Sequence, residues 1–327
     1  MNKMIRQMIC EELGLGALLA PPARLTGGFL HRMESLFTEK GRYAVKLLNP
    51  DIMAREDALS NYAAAEQLEA LLEREKLPIL PALSFHGKKL QKLEGQYFYV
   101  FPWFDGTALT AGEVREFHCK EIGKTLARIH GLSLKAVPVS QKPEAIDWDQ
   151  LLLRLEKENR ELFSEVKPHR SLLCLLQERG NSALPFLPRA AAICHNDLDP
   201  KNVLWNGGAY RVIDLECLSY GSPYLELYEA ALNWAGCDFL ELRPELLRAF
   251  VTAYRAAGGA LPEDWAILHD GNMVRLDWLA YNLERALGSG LDLEERALGV
   301  SEAENAMRRI VYYDRIRDEM LKLLSEL

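Results

Sequence analysis

The chain has 327 residues, of which 49% are apolar, enough for a large core in one two-lobed enzyme or in two modest domains. A net charge of -8 argues against a nucleic-acid partner and is compatible with a cationic small molecule. Six scattered cysteines without a Cys-x-x-Cys pair argue against a zinc site or disulfide framework, and no span of eighteen apolar residues occurs, so a soluble cytoplasmic protein without membrane contact is expected.

In chain order, residues 23–33 read as a strand, a turn at Gly27 and Gly28, and a second strand. Residues 43–48 alternate β-branched and apolar side chains around a single lysine, Lys46, and predict a further strand. A helix is predicted over 53–76, with Ala64, Leu68, Leu71 and Leu72 on its buried face. Residues 95–103 form an aromatic strand that runs into a Pro-containing connection. Beyond about 103 the pattern is mostly helical. Residues 121–130 put Ile122, Leu126 and Ile129 on one face, with His130 at the end as a structural hydrogen-bonder, and helices are predicted over 148–166, 223–235, 244–257, 262–287 and 293–325.

Residues 193–217 carry the chemistry: Ile-Cys-His-Asn-Asp-Leu-Asp-Pro-Lys-Asn-Val-Leu-Trp, a Gly turn, then Tyr-Arg-Val-Ile-Asp-Leu-Glu-Cys. The order and spacing are those of a kinase catalytic loop followed by a metal-binding strand. Asp197 stands where it can accept a hydrogen bond from a substrate hydroxyl, and Asn202, five residues on, can turn its amide oxygen to a metal. Val203, Leu204 and Trp205 leave the site as a strand, Asn206, Gly207 and Gly208 reverse the chain, and the returning strand brings Asp214 back beside Asn202. Asn202 and Asp214, with Glu216 assisting, supply the hard oxygen ligands that Mg²⁺ needs. Asp214 and Glu216, two apart on extended chain, can face the same side. His195 is expected to brace the loop.

This stretch resembles the catalytic core of the aminoglycoside phosphotransferase and choline kinase family, the small-molecule branch of the protein-kinase-like fold. Ile213-Asp214-Leu215-Glu216 is similar to the family's Ile-Asp-x-Glu ending, and residues 220–227 resemble its entry into the next helix. The resemblance implies an α+β, two-lobed fold: a small antiparallel β-sheet lobe with one major helix, residues 1–101, and a larger mostly helical lobe, residues 102–327. It implies that Gly27 and Gly28 lie over the phosphates of ATP or GTP, that Lys46 contacts the α and β phosphates, and that Glu66 on the following helix orients Lys46, with Glu56 and Glu69 as rivals. The lobes would join at residues 100–104, where adenine binds.

The implied reaction moves the γ-phosphoryl group of ATP or GTP, with Mg²⁺, to a hydroxyl of a small molecule, with Asp197 orienting that hydroxyl. The acceptor would lie between the catalytic loop and the later helices. Candidates to touch it are Asp199, Trp234, Asp238, and Trp278, Tyr281, Asn282 and Arg285, which share one helix face at i, i+3, i+4 and i+7; an aromatic stripe at that spacing also suits a core. A protein kinase does not fit, because Asp214 lacks a following Phe-Gly and no Ala-Pro-Glu follows. The rival is a degenerate kinase fold acting as a nucleotide sensor or as a structural, spore-coat-like protein. Asp199 and Lys201 depart from the commoner family loop, which weakens any inference of antibiotic resistance and leaves the acceptor open.

Overall fold

Strand patterning turns into a sheet in the first part of the chain. The computed structural model describes residues 3–25, 31–133, 143, 145–288 and 293–327. These fall into two compact units, Met1–Val114 with Ile193–Tyr220, and Arg115–Ala192 with Gly221–Leu327.

In the first unit, helix α1 (Lys3–Glu12) precedes β1 (Ala23–Arg24), β2 (Arg32–Thr38) and β3 (Gly41–Leu47). Along β2 the inward positions are Glu34, Leu36 and Thr38, the period of two that a pleated strand imposes. With β4 (Gln91–Leu93) and β5 (Gln96–Pro102), these strands form an antiparallel sheet in the order β1-β2-β3-β5-β4, in which Lys46 stands opposite Met33 and Tyr99. Ile9 of α1 packs with Leu36, Val45, Leu47, Phe98 and Val100. The inward Glu34 is buried and ion-paired with Arg6 at 2.5 Å and Arg32 at 2.7 Å, since a lone buried carboxylate would be costly. Burial works against its charge, but Arg6 and Arg32 outweigh it and hold the carboxyl below its ordinary range.

The helix expected over 53–76 forms in two pieces. Asn49 caps α2 (Pro50–Met53) by accepting the Asp51 N–H at 2.9 Å, the chain turns, and α3 runs Ala58–Arg74. Its buried face is Ala58, Tyr62, Ala65, Glu69 and Leu72, rotated from the expected one, and Ala64 is exposed. Counting apolar residues misplaces that face because Tyr62 and Glu69 find partners inside: the Tyr99 ring lies 6.1 Å from Tyr62, and Lys89 and the Ala82 N–H hold Glu69.

The boundary expected at 101/102 is not where the chain divides. Strand β6 (Thr107–Ala108) pairs with β8 (Val203–Asn206), which forms a hairpin with β9 (Ala209–Val212), while β7 (Ala192–Cys194) pairs with β10 (Ser219–Gly221). The Val212 N–H donates to Pro78 O and its carbonyl accepts from Leu80 N–H, both at 2.8 Å, so the hairpin is tied to the segment after α3.

The second unit is helical: α4 (Glu116–Gly131), α5 (Trp148–Glu158), α6 (Arg160–Val166), α7 (Arg170–Ala183), α8 (Pro223–Trp234), α9 (Pro244–Ala256), α10 (Trp265–Gly271), α11 (Val274–Leu287) and α12 (Leu293–Ser325). The run expected over 148–166 breaks at Asn159, whose side chain caps α6 by accepting the Leu162 N–H at 3.1 Å. The run expected over 262–287 breaks between α10 and α11 at Asn272 and Met273. Helices α4 and α9 approach so closely that a Cβ at Gly123 would lie 2.5 Å from Phe250 O. The core gathers Trp148, Leu155 and Leu162 with Leu279, Leu283, Met307 and Ile310. Among the described residues no helix is long and apolar enough to cross a membrane.

Candidate active site

The loop between β7 and β8 is held by its own polar side chains. His195 is fully buried: its Nε2 donates to Ile213 O at 3.0 Å, and its Nδ1 accepts the Asp197 N–H at 3.3 Å. Asn196 adopts the left-handed conformation that Asn tolerates (φ 65°), and its amide donates to Cys217 O at 2.7 Å and Ser219 Oγ at 3.0 Å. The loop is thereby pinned to the chain that follows β9.

Asn202 Nδ2 donates to Asp197 Oδ2 at 2.7 Å and to Asp197 O at 2.8 Å. This commits the amide nitrogen and leaves Oδ1 as the atom Asn202 can offer a cation. Asn202 O accepts the Ile213 N–H at 2.9 Å, which brings the next residue, Asp214, beside it. Asp197 Oδ1 faces Lys201 Nζ at 3.1 Å, and that ammonium also lies 3.5 Å from Asp199 Oδ2. Burial, with Asp199 adding to it, pushes the Asp197 carboxyl up to about 6 against the opposing pull of Lys201. Asp199, a candidate to touch the acceptor, is thus held by Lys201. A sequence signal for this pairing existed in Asp-x-Asp-x-Lys, which puts one cation within reach of two carboxylates.

Asp214 is not at the end of an extended strand. It is left-handed (φ 64°, ψ 52°), and Leu215–Cys217 is a single 3-10 turn, so the argument from alternation on extended chain gives way to a turn that still aims both carboxylates at one cation. Lys46 Nζ lies 2.6 Å from Asp214 Oδ1 and contacts Glu216 Oε2. Burial works against the Lys46 charge, but Glu216 and Asp214 outweigh it and raise its pKa above the ordinary value. Burial alone would raise the Asp214 pKa; Lys46 holds it below the usual range.

Glu66 does not meet Lys46. Its Oε1 accepts the Leu90 N–H and the Tyr99 O–H, both at 2.9 Å, and Tyr62, one turn earlier, belongs to the buried face of α3 where Glu66 does not. Glu69 is held by Lys89 at 2.6 Å and by the Ala82 N–H at 2.9 Å, and Glu56 is exposed before α3. Gly27 and Gly28 lie outside the described residues. In the 100–104 region the Trp103 N–H donates to Arg42 O at 3.1 Å, and the Arg42 guanidinium lies 3.5 Å above the Trp103 ring.

The remaining candidates belong to the second unit. Trp234 is fully buried and its carbonyl accepts from Cys119 Sγ at 3.7 Å, while Asp238 Oδ1 lies 3.7 Å from Arg309 Nε. The predicted face of α11 does not act as one surface. Trp278 and Tyr281 stack with ring centroids 5.6 Å apart, and Tyr281 is exposed. Asn282 and Arg285 are buried, the first donating to Trp278 O at 2.8 Å and the second paired with Glu295 at 2.8 Å. The reason is the approach of α12, where a Cβ at Gly299 would lie 2.7 Å from Ala286 N. His130 donates or accepts within 2.8 Å of both Tyr254 Oη and Glu226 Oε2, the structural role expected of it.

The donor set of Asn202 Oδ1 and Asp214, all oxygen and next to a buried ammonium, fits a hard divalent cation and the phosphates such a cation accompanies. A sequence profile described as the phosphotransferase enzyme family matches residues 23–268. The chain belongs to that family. No curated protein matches the sequence. Among solved structures, the chain is similar to spectinomycin phosphotransferase in complex with ADP and spectinomycin, at 14% identity with a TM-score of 0.71, covering 95% of this chain and 98% of that one. It is also similar to amicoumacin kinase in complex with AMP-PNP, Ca²⁺ and its ligand, at 14% identity with a TM-score of 0.60 over 94% of this chain and 96% of that one. Choline kinase from Cryptosporidium parvum Iowa II shows 15% identity and a TM-score of 0.53 over 98% of this chain and 97% of that one. These likenesses show the α+β, protein-kinase-like fold.

Proposed function

We propose that this protein transfers the γ-phosphoryl group of ATP or GTP to a hydroxyl group of a small molecule. One observation carries the reading: Asn202 spends its amide nitrogen on Asp197, which leaves Oδ1 to offer a cation, while its backbone carbonyl holds Ile213 N–H, so a proton-accepting carboxylate and the two proposed cation ligands gather at one end of the hairpin. Membership of the phosphotransferase enzyme family supports it, as do the nucleotides in the complexes of similar fold, ADP with the spectinomycin enzyme and AMP-PNP with the amicoumacin enzyme.

In this mechanism Asp197 accepts the hydrogen bond of the attacking hydroxyl and takes its proton as the new O–P bond forms and the bond from the γ-phosphorus to the β–γ bridging oxygen breaks, releasing ADP or GDP. Lys46 would neutralise phosphate oxygens, and Asn202 and Asp214 would hold Mg²⁺, with Glu216 beside Asp214 on the same turn. When bound, Mg²⁺ neutralises charge on the phosphate oxygens. Because the transition state of phosphoryl transfer is loose, positioning and charge neutralisation supply most of the acceleration and proton removal less. Acceptors are drawn from hydroxyl-bearing compounds, and the relatives' spectinomycin, amicoumacin and choline define the range to search. The protein's acidic balance favours cationic members of it.

The test is transfer from Mg·ATP and Mg·GTP across a panel of amino alcohols, sugars and aminocyclitol and peptide antibiotics. Phosphorylated product from any acceptor supports the reading. Tight nucleotide binding with no transfer across the panel would instead favour a nucleotide sensor.

A further inference from the structure

Resting on the phosphotransfer reading, we infer that Glu216, held by His31 and Tyr62, is the carboxylate that orients Lys46, in place of a glutamate of α3. The metal-holding role then rests on Asn202 and Asp214.

The buried Lys46 ammonium contacts Asp214 and Glu216 and, among the described residues, no carboxylate of α3. The α3 glutamates are committed elsewhere. Glu66 serves Leu90 and Tyr99, and Glu69 serves Lys89 and Ala82. Neither can turn to Lys46 without leaving those donors, and for the Tyr99 O–H and the Ala82 N–H the loss would leave a buried polar group unpaired.

Glu216 is fixed independently of Lys46. Its Oε1 lies 3.2 Å from His31 Nε2. His31 Nδ1 accepts the Asn49 N–H at 3.0 Å, so the neutral ring carries its proton on Nε2 and donates it toward Glu216. Tyr62 Oη stands 3.2 Å from the same Nε2, close enough to share that proton. Histidine and tyrosine are both buried, at 9% and 7% exposure, so this arrangement is shielded from water. Tyr62 and Glu66 are four apart on α3 and lie on one face of it. The helix therefore reaches the lysine through Tyr62, His31 and Glu216, with a tyrosine at the turn next to the one from which a glutamate was expected to reach. His31 directly precedes β2, so the same ring ties the start of β2 to the turn that follows β9.

The experiment compares Glu216→Gln, Glu66→Gln, His31→Gln and His31→Leu in the full chain, each checked for wild-type melting. Lys46 acylation is followed by mass spectrometry across pH, and ATP affinity is measured in EDTA and in Mg²⁺. If Glu216 orients Lys46, Glu216→Gln accelerates Lys46 labelling at a fixed pH by about tenfold, one pKa unit, and weakens ATP comparably in EDTA and in Mg²⁺. Glu66→Gln leaves labelling and affinity within about twofold, a difference of about half a kcal/mol at most. His31→Gln, which keeps a donor for Glu216, preserves affinity, while His31→Leu reproduces the Glu216→Gln loss. A loss on Glu216→Gln confined to Mg²⁺, or faster Lys46 labelling in Glu66→Gln than in Glu216→Gln, overturns the inference. If the wild type binds no nucleotide, the phosphotransfer reading falls, and the labelling comparison still decides which carboxylate pairs with Lys46.

Discussion

Asn202 Nδ2 and Asp197 Oδ2 are 2.7 Å apart, a hydrogen bond that decides which atom of each side chain is left for chemistry. Replacing the donor by an acceptor should be worse than removing it. In Asn202→Asp, a second carboxylate faces Asp197, and each disfavours the charge of the other. Turnover at pH 7 should fall by about a hundredfold or more, the scale of losing a positioned acid-base group. Initial rates of phosphoryl transfer check this, and wild-type activity in Asn202→Asp would remove the hydrogen bond from the account.

Asp214→Ala removes one proposed cation ligand and one of the two carboxylates paired with Lys46 among the described residues. The gain in nucleotide affinity that Mg²⁺ confers on the wild type should disappear, while residual binding in EDTA persists through Lys46. Titration calorimetry with and without Mg²⁺ separates the two terms. An undiminished Mg²⁺ dependence would mean that the cation is held elsewhere.

Much of this candidate site is legible in the sequence, and the part that is not has a physical reason. The hairpin was legible because Asp197, Asn202 and Asp214 are close in sequence and their spacing alone dictates a loop and a return. The pairing of Lys46 was not legible, because 168 residues separate it from Asp214 and the choice between Asp214, Glu216 and Glu66 depends on what else each carboxylate touches. Asp214 and Glu216 reach one cation through a left-handed residue and a 3-10 turn, which a period-of-two argument cannot foresee. On α11, periodicity places Trp278, Tyr281, Asn282 and Arg285 on one helix face, but it does not reveal that Asn282 and Arg285 are buried where α12 approaches closely at Gly299 while Tyr281 is exposed.

Gly123→Ala tests the packing of the second unit. The added methyl would lie 2.5 Å from Phe250 O, a backbone atom that cannot swing aside, so α4 and α9 must separate. Overpacking of this kind costs about 1–3 kcal/mol, which lowers the melting temperature by several degrees. A melting temperature at or above that of the wild type would contradict the tight crossing.

His269 makes a defined contribution to acid sensitivity. Burial, with Arg275 adding to it, pulls its pKa from 6.5 down to about 4, and its Nδ1 pairs with Tyr228 Oη at 2.7 Å. Between those values the unfolded chain binds a proton that the folded protein refuses, so stability is complete above pH 6.5 and is lost as pH falls toward 4. The loss approaches about 3 kcal/mol for a shift of this size. Chemical denaturation of the wild type and of His269→Asn at pH 7 and pH 4.5 reads the difference: the variant should lose less stability on acidification. An equal or larger loss in the variant would place the acid sensitivity elsewhere.

The most direct measurement is γ-phosphoryl transfer to a panel of hydroxyl acceptors by the wild type and by Asp197→Ala, with nucleotide affinity measured on both. The account predicts product from the wild type, turnover lower in Asp197→Ala by about two to four orders of magnitude, and nucleotide affinity nearly the same in both. Equal turnover in the two proteins, or no transfer by a wild type that binds nucleotide tightly, would contradict it.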